Sequence, residues 1–252
     1  MPLTPSEEPI RLGFLVPERN VTCEAEFPRY LPDGVTAHFS RLPREEAEMT
    51  AGSLLKMMES VDAQSKLLSH IDVQVIMAAC TSGSFLGGTT AAEELGHRVT
   101  AATGIPGITT STAVSDALRA LRARRLFMIT PYPEDITRDE AAFFEALGFE
   151  MTGFDTFACA RSEMIRRLTS DDVAEMAYRH RERVQESDAL FVSCTNLETM
   201  DRLAVMEEAL GKPIVSSNAA TLWRAFRAVR LPPVDIGAGT LFTTRLAAGP
   251  AL

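Results

Sequence analysis

Val75-Ile76-Met77-Ala78-Ala79-Cys80-Thr81-Ser82-Gly83 is an apolar run that ends on a cysteine, with hydroxyl residues and a glycine directly behind it. Ala189-Leu190-Phe191-Val192-Ser193-Cys194-Thr195-Asn196 repeats the design. Short apolar runs bounded by turn residues read as buried strands. In an open α/β sheet, ligands sit at the carboxyl ends of such strands. The two runs belong to a longer repeat. Arg11-Leu12 matches Arg125-Leu126, Pro17 matches Pro131 and Cys80-Thr81 matches Cys194-Thr195, each pair offset by 114 residues (125 − 11, 131 − 17, 194 − 80). Past the cysteines the register slips, and Pro106 pairs with Pro213 at an offset of 107 (213 − 106). An internal duplication predicts two similar α/β lobes with parallel sheets, related by pseudo-two-fold symmetry. Equivalent strand ends then meet at one cleft, with Cys80 and Cys194 on opposite walls. The expected lobes are residues 1–112 plus 218–252, and residues 113–217.

Outward from these strands, Arg11 to Val16 reads as a strand stopped by Pro17, and Val35 to Leu42 as a second strand. An apolar stripe from Met49 to Leu68 predicts one helix over 45–68. Val99 and Thr100 suggest a little strand, and the hydroxyls Thr109 to Thr112 cap a helix over 113–123. The second half then restarts with the strand Arg125 to Thr130, a helix closed by Gly148 and a strand from Glu150. A helix over 170–186 follows, opened by Ser170 or Asp171. A last helix over 219–229 is capped by Ser216 to Asn218. In the irregular tail, Leu241, Phe242 and Leu246 are candidates for a dimer contact, so a homo-oligomer is expected.

The chain has 252 residues, 46% of them hydrophobic, and a formal net charge of −9. That charge argues against a nucleic-acid partner. No apolar run approaches the ~20 residues of a membrane span, and the amino terminus lacks a secretory pattern, so the expectation is a cytoplasmic protein without membrane contact. The four cysteines form no CxxC pair and the four histidines are scattered, so no metal site is expected. Without a sequence-adjacent histidine, a Cys-His protease pair has no support either.

Two thiols across a cleft suit proton or nucleophile chemistry on two faces of one substrate. Both cysteines precede residues that read as helix starts, an arrangement that lowers a thiol pKa. Asn20, Thr81, Ser82, Tyr132, Thr195 and Asn196 all follow predicted strands. With backbone N–H groups they form a frame for carboxylates, with little positive charge.

Val16-Pro17-Glu18-Arg19-Asn20-Val21-Thr22-Cys23-Glu24-Ala25-Glu26 resembles the Pro-x-x-Asn-x-x-x-Glu-x-Glu signature of maleate cis-trans isomerases. Ala79-Cys80-Thr81-Ser82-Gly83, Thr130-Pro131-Tyr132 and Ser193-Cys194-Thr195-Asn196 resemble that family's other motifs. The family sits in the Asp/Glu racemase superfamily beside the arylmalonate decarboxylases. The resemblance implies two Rossmann-like lobes with the active site in the cleft between them. It implies that Cys80 adds to the double bond of maleate and that Cys194 handles the proton. Asn20 and Tyr132 would bind carboxylate, amides near Thr81-Ser82 and Thr195-Asn196 would stabilise developing charge, and no cofactor is needed. One departure stands out. Ser162 occupies the place of a substrate-binding Asn, and Arg161 is a candidate to compensate.

The leading expectation is therefore cofactor-independent isomerisation of maleate or a similar small dicarboxylate. A racemase or decarboxylase using the same cysteine pair is the alternative. Cys80 counts against a decarboxylase, which relies on the cysteine matching Cys194. The missing Asp-Ser-Gly motif counts against an amino-acid racemase. A non-catalytic small-molecule-binding protein is the third reading.

Overall fold

The computed structural model describes residues 8–244. β1 (Ile10–Pro17), β2 (Val35–Leu42), β3 (Val75–Ala78) and β4 (Gly107–Thr109) form one parallel sheet in the order β2-β1-β3-β4. β5 (Arg125–Thr130), β6 (Glu150–Thr156), β7 (Ala189–Val192) and β8 (Ile214–Ser216) form a second in the order β6-β5-β7-β8. The duplication extends to the hydrogen-bond register. Leu12 stands opposite Val75 and Leu126 opposite Ala189, both pairs shifted by 114 (126 − 12, 189 − 75). Ile76 opposes Gly107 and Leu190 opposes Ile214, so β8 follows β4 by 107 (214 − 107). The slip between Pro106 and Pro213 therefore lies in the connections from β3 to β4 and from β7 to β8.

β3 and β7 are buried along their whole length, as parallel strands covered on both faces must be. The helices after β4 and β8, Thr110–Ala120 and Ser217–Ala228, are equivalent at the same 107 offset (217 − 110) and pack on each other. Thr109 and Ser216 cap them through their side-chain oxygens. Thr110 and Thr221 join their hydroxyls across the contact at 2.9 Å.

Several boundaries differ from the sequence reading. The stretch 45–68 is two helices, Ala51–Met58 and Val61–Ser69, behind an irregular segment. The Thr50 hydroxyl, accepting from the Ser53 amide, sets the later start. Val99 and Thr100 lie inside the helix Gly88–Thr103, not in a strand. There Val99 is core, and the Thr100 hydroxyl bonds the Gly96 carbonyl and accepts from the Gly107 amide. The helix over 170–186 breaks at His180, and its cap is Thr169, boxed with Asp172. Leu241 and Phe242 are buried within their own chain, where Phe242 packs edge-on against Phe226. They are not a free dimer face; Leu246 lies outside the described residues. Among the described residues, no helix is long and apolar enough to cross a membrane.

Candidate active site

The carboxyl ends of β3 and β7 open onto one small, tight cavity of about 30 Å³. All nine residues singled out from sequence line it: Asn20, Cys80, Thr81, Ser82, Tyr132, Ser162, Cys194, Thr195 and Asn196. Pro17, Arg19, Arg44, Met49, Leu54 and Ile165 complete the wall. A wider, shallower groove around Glu207, Lys212 and Thr240 touches neither cysteine. Its Glu207 carboxylate is already engaged with the Ile214 and Thr240 amides.

The two cysteines sit in different backbones. Cys80 is extended and caps the short helix Thr81–Phe85, its sulfur accepting from the Gly83 amide at 3.4 Å. A Cβ at Gly83 would lie 2.6 Å from the Met58 sulfur, so a side chain there would require the flexible Met58 to move. Cys194 takes a left-handed φ of 95°, a strain of about 1–3 kcal/mol that its surroundings must hold in place. Its N–H donates to the Ser217 hydroxyl at 3.0 Å, and its sulfur accepts from the Asn196 amide at 3.4 Å. A turn follows it, and the next helix starts only at Leu203. The expectation of a helix start behind each cysteine thus holds for Cys80 and fails for Cys194.

The expected lowering of the thiol pKa values is also corrected, because desolvation outweighs it. Burial pushes Cys80 up, opposed by the Gly83 amide, the Ser82 hydroxyl and the charge of Arg44. Burial pushes Cys194 up to about 12; the Tyr132 hydroxyl and Asn196 amide oppose this, while Cys80 and Glu140 add to it. Glu140 is fully buried, and burial raises it to about 8. It accepts from the Ser193 hydroxyl at 2.7 Å, which lies 3.5 Å from the Tyr132 hydroxyl. Its other oxygen has no partner among the described residues. Tyr132 itself is pushed well up by burial, then by Cys194 and Glu140.

Side chains from the two halves interlock around the thiols. Asn20 donates to the Thr195 hydroxyl at 3.2 Å, and Thr195 donates to the Ala79 carbonyl at 3.0 Å. Thr81 donates to the Ser217 hydroxyl at 2.9 Å. The Asn196 side-chain oxygen accepts from the Val21 amide at 3.1 Å. Glu26, buried and raised to about 7 by desolvation, accepts from the Thr199, Met200 and Asn218 nitrogens.

A strap formed by residues 47–49 and 160–162 contributes Met49 and Ser162 to the cavity wall. The Met49 amide donates to the Ala160 carbonyl and the Ser162 amide to the Ala47 carbonyl, around an isolated bridge between Glu48 and Arg161. Arg161 is half exposed and pairs with Glu48, so it does not compensate for Ser162. Arg44 does reach Ser162, donating to its hydroxyl at 2.6 Å. The site therefore carries more positive charge than the sequence suggested. Arg19 falls at a variable position of the Pro-x-x-Asn stretch, and Arg44 in a Pro-Arg-Glu-Glu stretch that reads as a solvated turn. Glu140 hid as one acidic residue among several on a helix. Among the described residues, no cluster of His, Cys, Asp or Glu is arranged to hold a metal.

Comparison with known proteins places this geometry in context. The family model described as arylmalonate decarboxylase matches residues 12–242. The arylmalonate decarboxylase of Bordetella bronchiseptica is 30% identical over 221 residues, covering 86% of this chain and 89% of that protein. A maleate isomerase of Pseudomonas putida is 27% identical over 252 residues, covering 92% and 97%. The crystal structure of the maleate isomerase Iso from Pseudomonas putida S16 superposes with a TM-score of 0.85 at 25% identity, covering 93% of this chain and 98% of that one.

Proposed function

This chain belongs to the arylmalonate decarboxylase family, and from that premise we propose that it is a cofactor-independent cis-trans isomerase of maleate or a similar small dicarboxylate. The observation that carries the choice is the pair of cysteines, Cys80 and Cys194, on one cavity. Addition and release at one carbon call for a nucleophile, and handling the neighbouring carbon calls for a separate acid and base.

The environments divide the labour. Cys80 has an amide, a hydroxyl and a guanidinium that favour its thiolate. Cys194 faces Cys80, whose thiolate disfavours a second negative charge beside it. Cys80 is accordingly the nucleophile and Cys194 the protonated partner. The Cys80 sulfur forms a bond to one alkene carbon, and the alkene electron pair moves toward the far carboxylate. The Cys194 proton passes to the neighbouring carbon, giving a succinyl thioether. Rotation about the carbon–carbon single bond follows. Cys194, now the thiolate, removes a proton from that carbon, the double bond reforms, and the carbon–sulfur bond breaks to release fumarate and the Cys80 thiolate. Asn20 and Tyr132 hold carboxylate. The Thr81 and Ser82 amides, which have no partner within their own helix turn, receive the charge that develops.

The test is incubation with maleate in D2O followed by proton NMR. Fumarate is expected from the wild type, and Cys80→Ala is expected to produce none. Full activity in Cys80→Ala would remove covalent addition. Deuterium entering another carboxylic acid, with maleate untouched, would favour the racemase or decarboxylase alternative.

A further inference from the structure

Arg44 is 5% exposed and lines the cavity that holds both cysteines. A buried guanidinium is costly unless a negative group balances it. Among the described residues it forms no ion pair. Nε donates to the Glu46 carbonyl at 2.8 Å, and Nη2 donates to the Ala47 carbonyl at 3.1 Å and the Ser162 hydroxyl at 2.6 Å. Nη1 meets only the Met49 sulfur, at 3.7 Å, a weak acceptor. Of the five donors of the fork, three are used to fix its orientation, and the two on Nη1 have no oxygen acceptor. Nearby Glu18 does not balance the charge. One of its oxygens accepts from the Arg44 backbone amide at 2.9 Å, and the other pairs with Arg19 at 2.8 Å. Arg19 is thus a cation paired with a carboxylate at the rim, whereas Arg44 in the wall has no carboxylate partner among the described residues, with the Cys80 sulfur as a source of balancing charge.

We propose that Arg44, braced by Ser162 and the strap carbonyls, is the seat for one carboxylate of the substrate, so that the site selects a small dicarboxylate over its half-amide. A guanidinium fork held by three bonds offers planar, charge-assisted recognition that a serine or an amide does not. The Ser162 hydroxyl accepts from the fork at 2.6 Å and helps to fix its orientation. The proposal deepens the isomerase reading and rests on it for one point, that the seated carboxylate belongs to the molecule that Cys80 attacks.

The experiment uses two saturated probes that the enzyme cannot isomerise, succinate and its half-amide succinamate, titrated calorimetrically into the full-length protein. The wild type is expected to bind succinate about tenfold more tightly than succinamate, the lower end for hydrogen bonds to a charged group. In Arg44→Gln the ratio is expected to fall to near one, and in Arg44→Lys to keep an intermediate value. Circular dichroism establishes that each variant is folded. A folded Arg44→Gln with an unchanged ratio overturns the proposal. So does a wild type that binds both probes equally or fails to bind succinate at millimolar concentration, and that result stands even if Arg44→Gln does not fold. Neither probe carries a double bond, so the outcome is separate from turnover. A preserved succinate preference with no conversion of maleate would sink the isomerase reading and leave the carboxylate seat intact.

Discussion

Glu140 shows how a residue's chemistry depends on surroundings that its sequence position conceals. Cys80 and Cys194 were legible because each ends an apolar run and shares the 114-residue offset. Glu140 sits among other acidic residues on the helix Glu134–Ala146, and only the fold turns it into the core. Burial raises its pKa to about 8, so the folded state keeps a proton that the unfolded chain releases near pH 4.3. Its contribution to stability is full below that pH and is lost as pH rises through about 8. Glu140→Gln carries no such proton. Urea unfolding at several pH values is expected to show the wild type losing stability relative to Glu140→Gln by up to about 1.4 kcal/mol per unit between roughly pH 5 and 8. Parallel pH profiles for the two proteins would place an ionised carboxylate at Glu140 instead. Arg44 was illegible for the complementary reason: it sits away from any strand end, and nothing in an irregular loop says that it folds inward.

At the scale of elements, strands were read more accurately than helices. β2 and β5 fall where the sequence put them, because Gly34 and Pro43 bracket the first and Pro131 stops the second. Val99 and Thr100 imitate a strand because both are β-branched, although they lie inside the helix Gly88–Thr103. The structure gives the reason they tolerate a helix: this helix lies directly on β4, backbone to backbone. A Cβ on Gly107 would stand 2.4 Å from the Gly96 carbonyl oxygen and 2.5 Å from the Val99 Cβ. Gly107→Ala is therefore expected to destabilise the protein by about 1–3 kcal/mol, the usual range for overpacking, read as a lowered urea midpoint. A neutral Gly107→Ala would mean that the helix has room to slide away from the sheet.

At the scale of the whole molecule, the duplication was the most legible feature, since the 114 and 107 offsets reappear as strand register. How the halves are joined was not legible, because those bonds span up to 195 residues of sequence. Glu26 is the clearest case. From the first half it accepts from the Thr199 and Met200 amides at 2.8 and 2.7 Å and from the Asn218 side chain at 2.6 Å. Glu26→Gln replaces one acceptor with a donor facing Asn218. It is expected to cost about 1–3 kcal/mol and to speed hydrogen exchange at the Thr199 and Met200 amides; unchanged protection there would remove Glu26 as a join. This joining brings Cys80 and Cys194 to one cavity, and the central claim is that they divide the work. Mass spectrometry of Cys194→Ser incubated with maleate, quenched in acid and digested, tests it most directly. The account predicts a mass increase of one maleic acid on the peptide that contains Cys80, because solvent supplies the proton and the thiolate that would remove it again is missing; a Cys80 peptide without that increase would contradict it.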